Sequence, residues 1–228
     1  DPGNPTWRLE NTPKVVSGVD EASLRRIQAF YDRLVERTVA VSTPRTAELT
    51  KLFENTFRHI NIALVNELAI VAGQLGINVR EAIDAAATKP FGFMPFAPGP
   101  GVGGHCLPVD PSYLSWQAKR SIGHRFRFIE LANDINDAMP QYVVQRVALG
   151  LNARGRAVNG SRVLLLGLAY KKNVGDLRES PASVVAGLLV RLGAEVHAVE
   201  PHAGPTAVTT DGVSLVDLTE AGLAAAVG

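Results

Sequence analysis

Cys106 is the one cysteine of this 228-residue chain, and it follows a run of glycines. The stretch GPGVGGHCLPVD places glycine at 99, 101, 103 and 104, histidine at 105 and aspartate at 110. Glycine lets a ligand approach the backbone closely, and a thiolate is both a nucleophile and a leaving group. The pattern therefore leaves covalent chemistry at Cys106 as one of two interpretations. The simpler alternative is a small apolar side chain that fills a tight bend.

His105 precedes the cysteine and is a candidate base for its thiol. Adjacent side chains in an extended loop tend to point apart, so we expect a packing or orienting role instead. The stretch GVGG is weak evidence for phosphate binding, because no strand precedes it and no GxGxxG fingerprint occurs in the chain.

Two further polar groups could contribute to a site. Lys51 and Asn55 lie four residues apart and would share one face of a helix. Further polar residues would lie near that face: Arg58, His59 and Asn66. A solvated stripe is the alternative, but the apolar surroundings would bury these side chains and require partners for them. The second group follows an apolar strand and consists of Lys171, Lys172 and Arg178. Ligands of parallel sheets bind at that edge, although an ordinary polar loop has the same composition.

The elements that must position these residues form three parts. PKVVSGVD and TVAVS predict strands on either side of a helix, which indicates a β-α-β unit. Thr43 as N-cap, Pro44 at the first helical position and Gly76 at the end delimit a long helix from Thr43 to Leu75. At about 50 Å, and apolar on several sides, it suits a central core or a dimer interface.

Beyond the glycine stretch, NVREAIDAAAT and FIELANDINDAMPQYVVQRVALGLNARG predict further helices. SRVLLLGLAY and EVHAVEPHA predict two strands joined by a helix that Ser180 caps ahead of Pro181. Strand, helix and strand at this spacing indicate a second parallel, right-handed β-α-β unit.

Composition excludes several classes of protein. Basic and acidic residues nearly balance (23 against 22), which indicates neither nucleic acid nor an anionic membrane surface as a partner. One cysteine excludes an intrachain disulfide and suits the cytoplasm. We expect no membrane span, no signal peptide and no metal site, since His124, His197 and His202 lack ligand spacing. The opening DPGNPTWRLENTP suggests a piece of a longer polypeptide.

Three motifs together resemble the UDP-glucose/GDP-mannose dehydrogenase family: AELTKLFENTFRHINIALVNELA, PFGFMPFAPGPGVGGHCLPVDPSYLSW and GLAYKKNVGDLRESPA. They are most similar to its UDP-N-acetylhexosamine branch, and within it to the members that oxidise UDP-N-acetylglucosamine. The resemblance implies an α/β fold truncated at both ends. It would comprise the end of an NAD-binding Rossmann domain (1–43), a helical central domain that dimerises through the long helix (44–157), and part of a Rossmann-like UDP-binding domain (158–228).

The resemblance also implies a reaction, in which NAD oxidises the C6 alcohol of a UDP-sugar to a carboxylate in two steps. Cys106 matches the nucleophile that holds the aldehyde as a thiohemiacetal and then as a thioester. Lys51 and Asn55 match the groups that stabilise the oxyanion, and Asp110 matches the aspartate that activates or orients water. Matches to substrate-binding residues are Arg58, His59, Gly101, Gly103, Gly104, Tyr170 and Lys171, and Arg178 matches a cofactor contact.

Departures and alternatives remain. Val109 stands where many UDP-glucose dehydrogenases have lysine, whereas Arg58 and His59 follow the acetylhexosamine branch. UDP-N-acetylmannosamine and UDP-glucose are alternative substrates. A glutamate assigned to hydrolysis in relatives has no counterpart in this chain, so we expect the fragment alone to be inactive. Two other classes remain open: a cysteine hydrolase or acyltransferase using His105 or His124, and a non-catalytic module that dimerises and binds UDP-sugars.

Overall fold

The computed structural model describes residues 4–203 and 210–227. The chain divides into two compact units, of which the first ends at Thr56 and the second begins at Phe57. Residues 1–3, 204–209 and 228, which the predicted domain ranges include, lie outside the described part.

The first unit contains the predicted β-α-β arrangement. Strands β1 (Lys14–Val16) and β2 (Thr38–Ala40) pair in parallel, and helix α1 (Glu21–Tyr31) joins them. The Asp20 carboxylate accepts a hydrogen bond from the Ser23 N–H and so caps α1. This confirms the parallel unit that the apolar spacing predicts.

Helix α2 (Pro44–Gln74) is the long helix expected from the sequence. The Thr43 hydroxyl accepts a hydrogen bond from the Thr46 N–H, as an N-cap does. Gly76 adopts the left-handed conformation with φ of 71°, which ends the helix. Both capping predictions are confirmed, and the ends differ from the predicted bounds by one residue.

Three more helices follow in the second unit: α3 (Val79–Ala87), α4 (Cys106–Ile122) and α5 (Arg127–Asn152). The expectation of an extended loop at His105 and Cys106 is wrong, because α4 begins at Cys106 and His105 already has helical dihedral angles. The two prolines in CLPVDPSYL make this helix hard to predict from composition. Pro108 lies in the first turn, where proline is tolerated, and Pro111 lies inside the helix. Gly123, with φ of 67°, terminates it.

The second β-α-β unit is also confirmed. Strand β3 (Arg162–Leu166), helix α6 (Pro181–Arg191) and strand β4 (Glu195–Val199) follow in order, and β5 (Val213–Leu215) and α7 (Glu220–Val227) complete the described chain. The sheet is parallel with the order β3-β4-β5. Ser180 caps α6 by accepting a hydrogen bond from the Ala182 N–H. The core between α5, α6 and the sheet consists of Val144, Val185, Ala186, Leu189, Ala194 and Val196.

None of the helices in the described ranges is long and apolar enough to cross a membrane. Within the same ranges, no group of three or more His, Cys, Asp or Glu side chains is arranged to hold a metal ion.

Candidate functional site

Cys106 is exposed at the first position of α4, where the sequence had placed it in a loop. The first turn of a helix presents backbone N–H groups without intrahelical partners, and their partial positive charge stabilises anions. Asp110 lies one turn further along the same helix and is half-buried. Residues four apart share a helix face, so α4 presents the thiol and this carboxylate on one side.

Lys51 and Asn55 lie together on α2 in the first unit. The Lys51 ammonium lies 3.4 Å from the Asn55 side-chain oxygen, to which it donates. Lys51 is exposed, whereas Asn55 is fully buried at 0% exposure. A buried amide needs partners, and this geometry supplies one for its oxygen. The helical spacing that paired these residues in the sequence is confirmed.

The glycines before Cys106 allow close packing of protein on protein. Gly101 has φ of 128°, and a Cβ atom on it would lie 2.9 Å from the Asn136 carbonyl oxygen of α5. A Cβ atom on Gly103 would lie 2.5 Å from the Glu179 carbonyl oxygen and 2.7 Å from Tyr170 Cβ. A larger residue at either position would displace backbone or side-chain atoms.

Tyr170 covers the last glycine of the run. Gly104 has φ of 76°, and a Cβ atom there would lie 2.8 Å from the Tyr170 ring. Tyr170, predicted to bind substrate, therefore contacts the segment that carries Cys106. The predicted approach of a sugar to these glycines stays a prediction, because these contacts explain their small size within the protein itself.

Arg58 and His59 occupy different environments on α2. Arg58 is exposed, whereas His59 is 1% exposed and its Nε2 lies 2.8 Å from the Asn133 side-chain oxygen. Burial lowers the pKa of His59, against the opposing effects of the Asn133 hydrogen bond and the Asp137 charge. The ring is thus engaged by protein side chains, which the expectation of a substrate contact did not anticipate.

The loop between β3 and α6 holds the basic residues predicted at the sheet edge. Lys171 is half-buried, and Arg178 is exposed with its guanidinium 2.8 Å from an Asp176 carboxylate oxygen. The hydrogen bond from the Arg178 side chain is the main reason why the pKa of Asp176 falls to about 2, and the charge of His105 lowers it slightly. The same hydrogen bond raises the pKa of Arg178. Sequence reasoning had missed Asp176.

Glu200, also missed, organises the same sheet edge from the end of β4. One carboxylate oxygen accepts hydrogen bonds from the N–H groups of Leu168 and Ala169, both at 2.8 Å. Burial raises the pKa of Glu200, but these backbone donors outweigh it, and the net pKa is lowered. An acidic residue followed by proline at the end of a predicted strand was the signal available in the sequence.

Two parts of the chain match family models. Residues 45–138 match the model of the UDP-glucose/GDP-mannose dehydrogenase family, central domain. Residues 164–227 match the model of that family's UDP binding domain. The first range includes α2 from its second residue and the Cys106 segment, and the second includes the end of β3 together with β4 and β5.

The names of individual relatives refer to several different substrates. The chain is 37% identical over 202 residues to UDP-N-acetyl-D-mannosamine dehydrogenase of Methanococcus maripaludis, covering 89% of this chain and 45% of that protein. It is 38% identical over 201 residues to UDP-N-acetyl-D-glucosamine 6-dehydrogenase of Pseudomonas aeruginosa, covering 88% and 47%. A solved UDP-glucose dehydrogenase from Pyrobaculum islandicum superposes with a TM-score of 0.79 at 30% identity, covering 91% and 48%. The chain thus spans about half the length of the curated relatives it matches.

Proposed function

Because this chain belongs to the UDP-glucose/GDP-mannose dehydrogenase family, we propose that it supplies the central and UDP-binding parts of an NAD-dependent UDP-sugar 6-dehydrogenase. The proposed substrate class is the UDP-N-acetylhexosamines. The curated relatives named here act on N-acetylmannosamine and N-acetylglucosamine forms. UDP-N-acetylglucosamine remains our first candidate on the sequence resemblance. The Arg58–His59 motif favours the acetylhexosamines over glucose, and the relatives' names do not favour UDP-N-acetylglucosamine over UDP-N-acetylmannosamine.

The observation that carries the proposal is the single exposed thiol at the start of α4, within the matched central domain. A cysteine adds to the C6 aldehyde to form a thiohemiacetal, in which the former carbonyl oxygen bears the negative charge before protonation. Loss of two electrons converts this adduct to a thioester. Water then adds, the carbon–sulfur bond breaks, and the carboxylate leaves while the thiolate is regenerated.

NAD, when bound, accepts one hydride from C6 in each of the two oxidations. The overall balance is one alcohol, one water and two NAD⁺ giving one carboxylate, two NADH and three protons. Arg178 is our candidate contact for the dinucleotide on the family resemblance, and its guanidinium is exposed and paired with the Asp176 carboxylate. Tyr170 and Lys171 are proposed to contact the UDP-sugar from the same loop.

Charge development at the C6 oxygen requires donors, and we assign this role to Lys51 and Asn55. The Lys51 ammonium and the Asn55 amide hydrogens are both suitable oxyanion partners. Asp110 is proposed to orient or activate the water that hydrolyses the thioester, because α4 presents it on the face of Cys106.

A homodimer through α2 is part of the proposal. In the second unit, Leu64, Leu68, Val71 and Leu75 are 60%, 45%, 46% and 67% exposed. Their spacing of four, three and four residues forms a continuous apolar seam, as in helices that pair with another helix. We further propose a cytoplasmic location, with which an unpaired thiol is compatible.

The test is the amount of NADH formed per sugar consumed by the complete polypeptide that contains this chain. We expect two NADH for each UDP-N-acetylglucosamine and no aldehyde in solution. Two NADH from UDP-N-acetylmannosamine or UDP-glucose alone would keep the reaction and change the substrate. No NADH from any UDP-sugar would overturn the proposed function.

A matched pair of variants separates the thiol from the fold. Cys106→Ser should abolish uronate formation, because serine yields an ester whose alkoxide is a poor leaving group. Ser121→Ala, a similarly small change on the exposed end of α4, should retain normal turnover. Uronate formation at the wild-type rate by Cys106→Ser would exclude the thioester route.

A further inference from the structure

A chain of buried and half-buried polar side chains connects the two ends of the segment that carries Cys106. At the first end, the Gly99 N–H donates to the Asn66 side-chain oxygen at 2.8 Å. The Asn66 amide nitrogen donates in turn to the Asn136 side-chain oxygen at 2.9 Å. Asn66 and Asn136 are 0% and 3% exposed, so both amides depend on protein partners.

His59 forms the middle of this chain. Its Nε2 lies 2.8 Å from the Asn133 side-chain oxygen, and its Nδ1 lies 3.4 Å from the Asn136 amide nitrogen. An amide oxygen accepts and an amide nitrogen donates. Nε2 therefore carries the ring proton, and Nδ1 is the acceptor. This assignment agrees with the Asn136 oxygen being the atom bonded to Asn66.

The second end lies in the first turn of α4. The Asn133 amide nitrogen donates to the Ser112 hydroxyl at 3.1 Å, and that hydroxyl donates to the Pro108 carbonyl oxygen at 2.7 Å. Pro108 is two residues beyond Cys106. We call His59, Asn66, Ser112, Asn133 and Asn136 the asparagine network.

The side-chain hydrogen bonds of the asparagine network run in one direction, from the Gly99 N–H to the Pro108 carbonyl, and the Asn136 amide nitrogen also donates to the His59 carbonyl oxygen at 3.4 Å. Each group that accepts a hydrogen bond donates the next, an arrangement in which neighbouring bonds strengthen one another. A single wrong tautomer or flipped amide would place two donors or two acceptors face to face. The network therefore fixes both ends of the segment 99–108 together.

Apolar side chains would fill this part of the interior at a lower desolvation cost than polar ones. A polar network that costs stability in this way is expected to serve another purpose. The segment it holds also packs on Tyr170 and Pro181 through its glycines. Two different sets of contacts thus fix the ten residues 99–108, which include the exposed thiol.

We propose that His59 is a positioning residue, which holds the Cys106 thiol at the N-terminus of α4 through the asparagine network. The inference deepens the proposed function, since it concerns the same thiol. It does not require turnover for its test, because the intrinsic reactivity of one thiol can be measured directly.

The experiment is the alkylation rate of Cys106 by iodoacetamide in the 228-residue chain, in which it is the one cysteine. Ser112→Ala removes the last bond to Pro108 with little change in volume. Alkylation proceeds through the thiolate, and the N-terminus of an ordered helix favours an anion. We expect native alkylation to slow by about 2- to 10-fold, the range of one hydrogen bond. Asn133→Leu, which interrupts the network at its centre, should slow it at least as much.

Ser121→Ala is the matched control, the same change on the same helix. Its hydroxyl accepts a hydrogen bond from Gln117 and does not belong to the asparagine network. Its alkylation rate should equal that of the wild type, and all variants should react equally in urea. Wild-type native rates in Ser112→Ala and Asn133→Leu would overturn the proposal.

A nitrogen-15 spectrum of the histidine rings gives a second readout that does not depend on any variant. The expected signature for His59 is an unprotonated Nδ1 and a protonated Nε2 at neutral pH. The reverse tautomer, or a charged ring, would overturn the network. If the alkylation rates and the His59 tautomer are as expected but the complete polypeptide forms no NADH, the dehydrogenase proposal is rejected and the positioning role of His59 is kept.

Discussion

At the scale of single residues, Lys51 tests the proposed electrostatics. It is exposed, yet its ammonium reaches the buried Asn55. If it stabilises the oxyanion, Lys51→Ala in the complete polypeptide should lower kcat by about 10²- to 10³-fold, as loss of one preorganised donor does. Steady-state NADH formation measures this. Lys89→Ala, an exposed lysine beyond α3, is the control that should leave kcat unchanged.

An unchanged kcat in Lys51→Ala would mean that Lys51 has no catalytic role and belongs to an ordinary solvated helix face. The sequence alone could not decide between these roles, because spacing along a helix shows which residues share a face and not which of them are buried. The full burial of Asn55 beside an exposed lysine required the coordinates.

His59 predicts a pH dependence of stability. Histidine has a pKa of 6.5 in the unfolded chain, and burial lowers it in the folded protein. The unfolded state therefore binds the proton more readily, and stability should be complete above that pH and fall as the pH drops below it. Asn133, Asn136 and the Asp137 charge face the ring from α5.

Urea unfolding at about pH 7.5 and about pH 5.5 measures this effect, since a histidine in the unfolded chain is neutral at the higher value and charged at the lower one. The fall in midpoint should be smaller in His59→Gln than in the wild type. His124→Gln replaces an exposed histidine and should retain the full fall. Equal falls in all three proteins would contradict the inferred neutral, buried ring.

At the scale of elements, the segment before α4 makes a prediction about glycine. Gly104 and Gly76 both adopt left-handed conformations, with φ of 76° and 71°. A Cβ atom on Gly104 would meet the Tyr170 ring at 2.8 Å, whereas on Gly76 it would have no atom within 4 Å. Gly76→Ala should therefore cost about 1 kcal/mol of unfolding free energy from backbone strain alone.

Gly104→Ala should cost about 2 to 4 kcal/mol, because overpacking against Tyr170 adds to the same strain. Urea unfolding of both variants gives the comparison. The double variant Tyr170→Leu/Gly104→Ala should recover the part of the unfolding free energy that is lost to overpacking. The part lost to backbone strain at position 104 should remain. An equal cost for the two alanine variants would mean that the Tyr170 contact is not tight.

Elements with strong local signals could be predicted, and those with conflicting signals could not. Thr43 and Ser180 cap helices, and the apolar runs of β3 and β4 match the composition of buried strands. At these elements the local sequence signals and the tertiary structure agree. Helix α4 was missed because its first turn contains proline and follows four glycines. Its stability comes from contacts that residues far along the chain supply, including Asn133 on α5.

At the scale of the whole molecule, the conspicuous unexplained surface is the apolar seam on α2. Leu64, Leu68, Val71 and Leu75 recur at heptad spacing and remain about half or more exposed in the single chain. The composition of this helix predicted a core or dimer role, but it could not show which apolar side chains the chain itself buries. The structure leaves this seam uncovered by the second unit, which favours a second copy as its partner.

Leu68→Glu tests that proposal. In a two-fold interface each substitution occurs twice, and the introduced carboxylates would be buried without partners. Sedimentation equilibrium should show a dimer for the wild type and a dissociation constant raised by at least about 100-fold for the variant. Circular dichroism should show unchanged helix content, because the side chain is exposed in the monomer.

Ile122→Glu provides the comparison, since it places the same charge on another exposed apolar residue, 76% exposed at the end of α4. It should dimerise as the wild type does. A monomeric wild type would reject the dimer, whereas dimers in both variants would move the interface away from the seam on α2. His59 and Asn66 of the asparagine network lie on α2 together with the seam, so a dimer that orders α2 should also slow unfolding of the segment that presents Cys106.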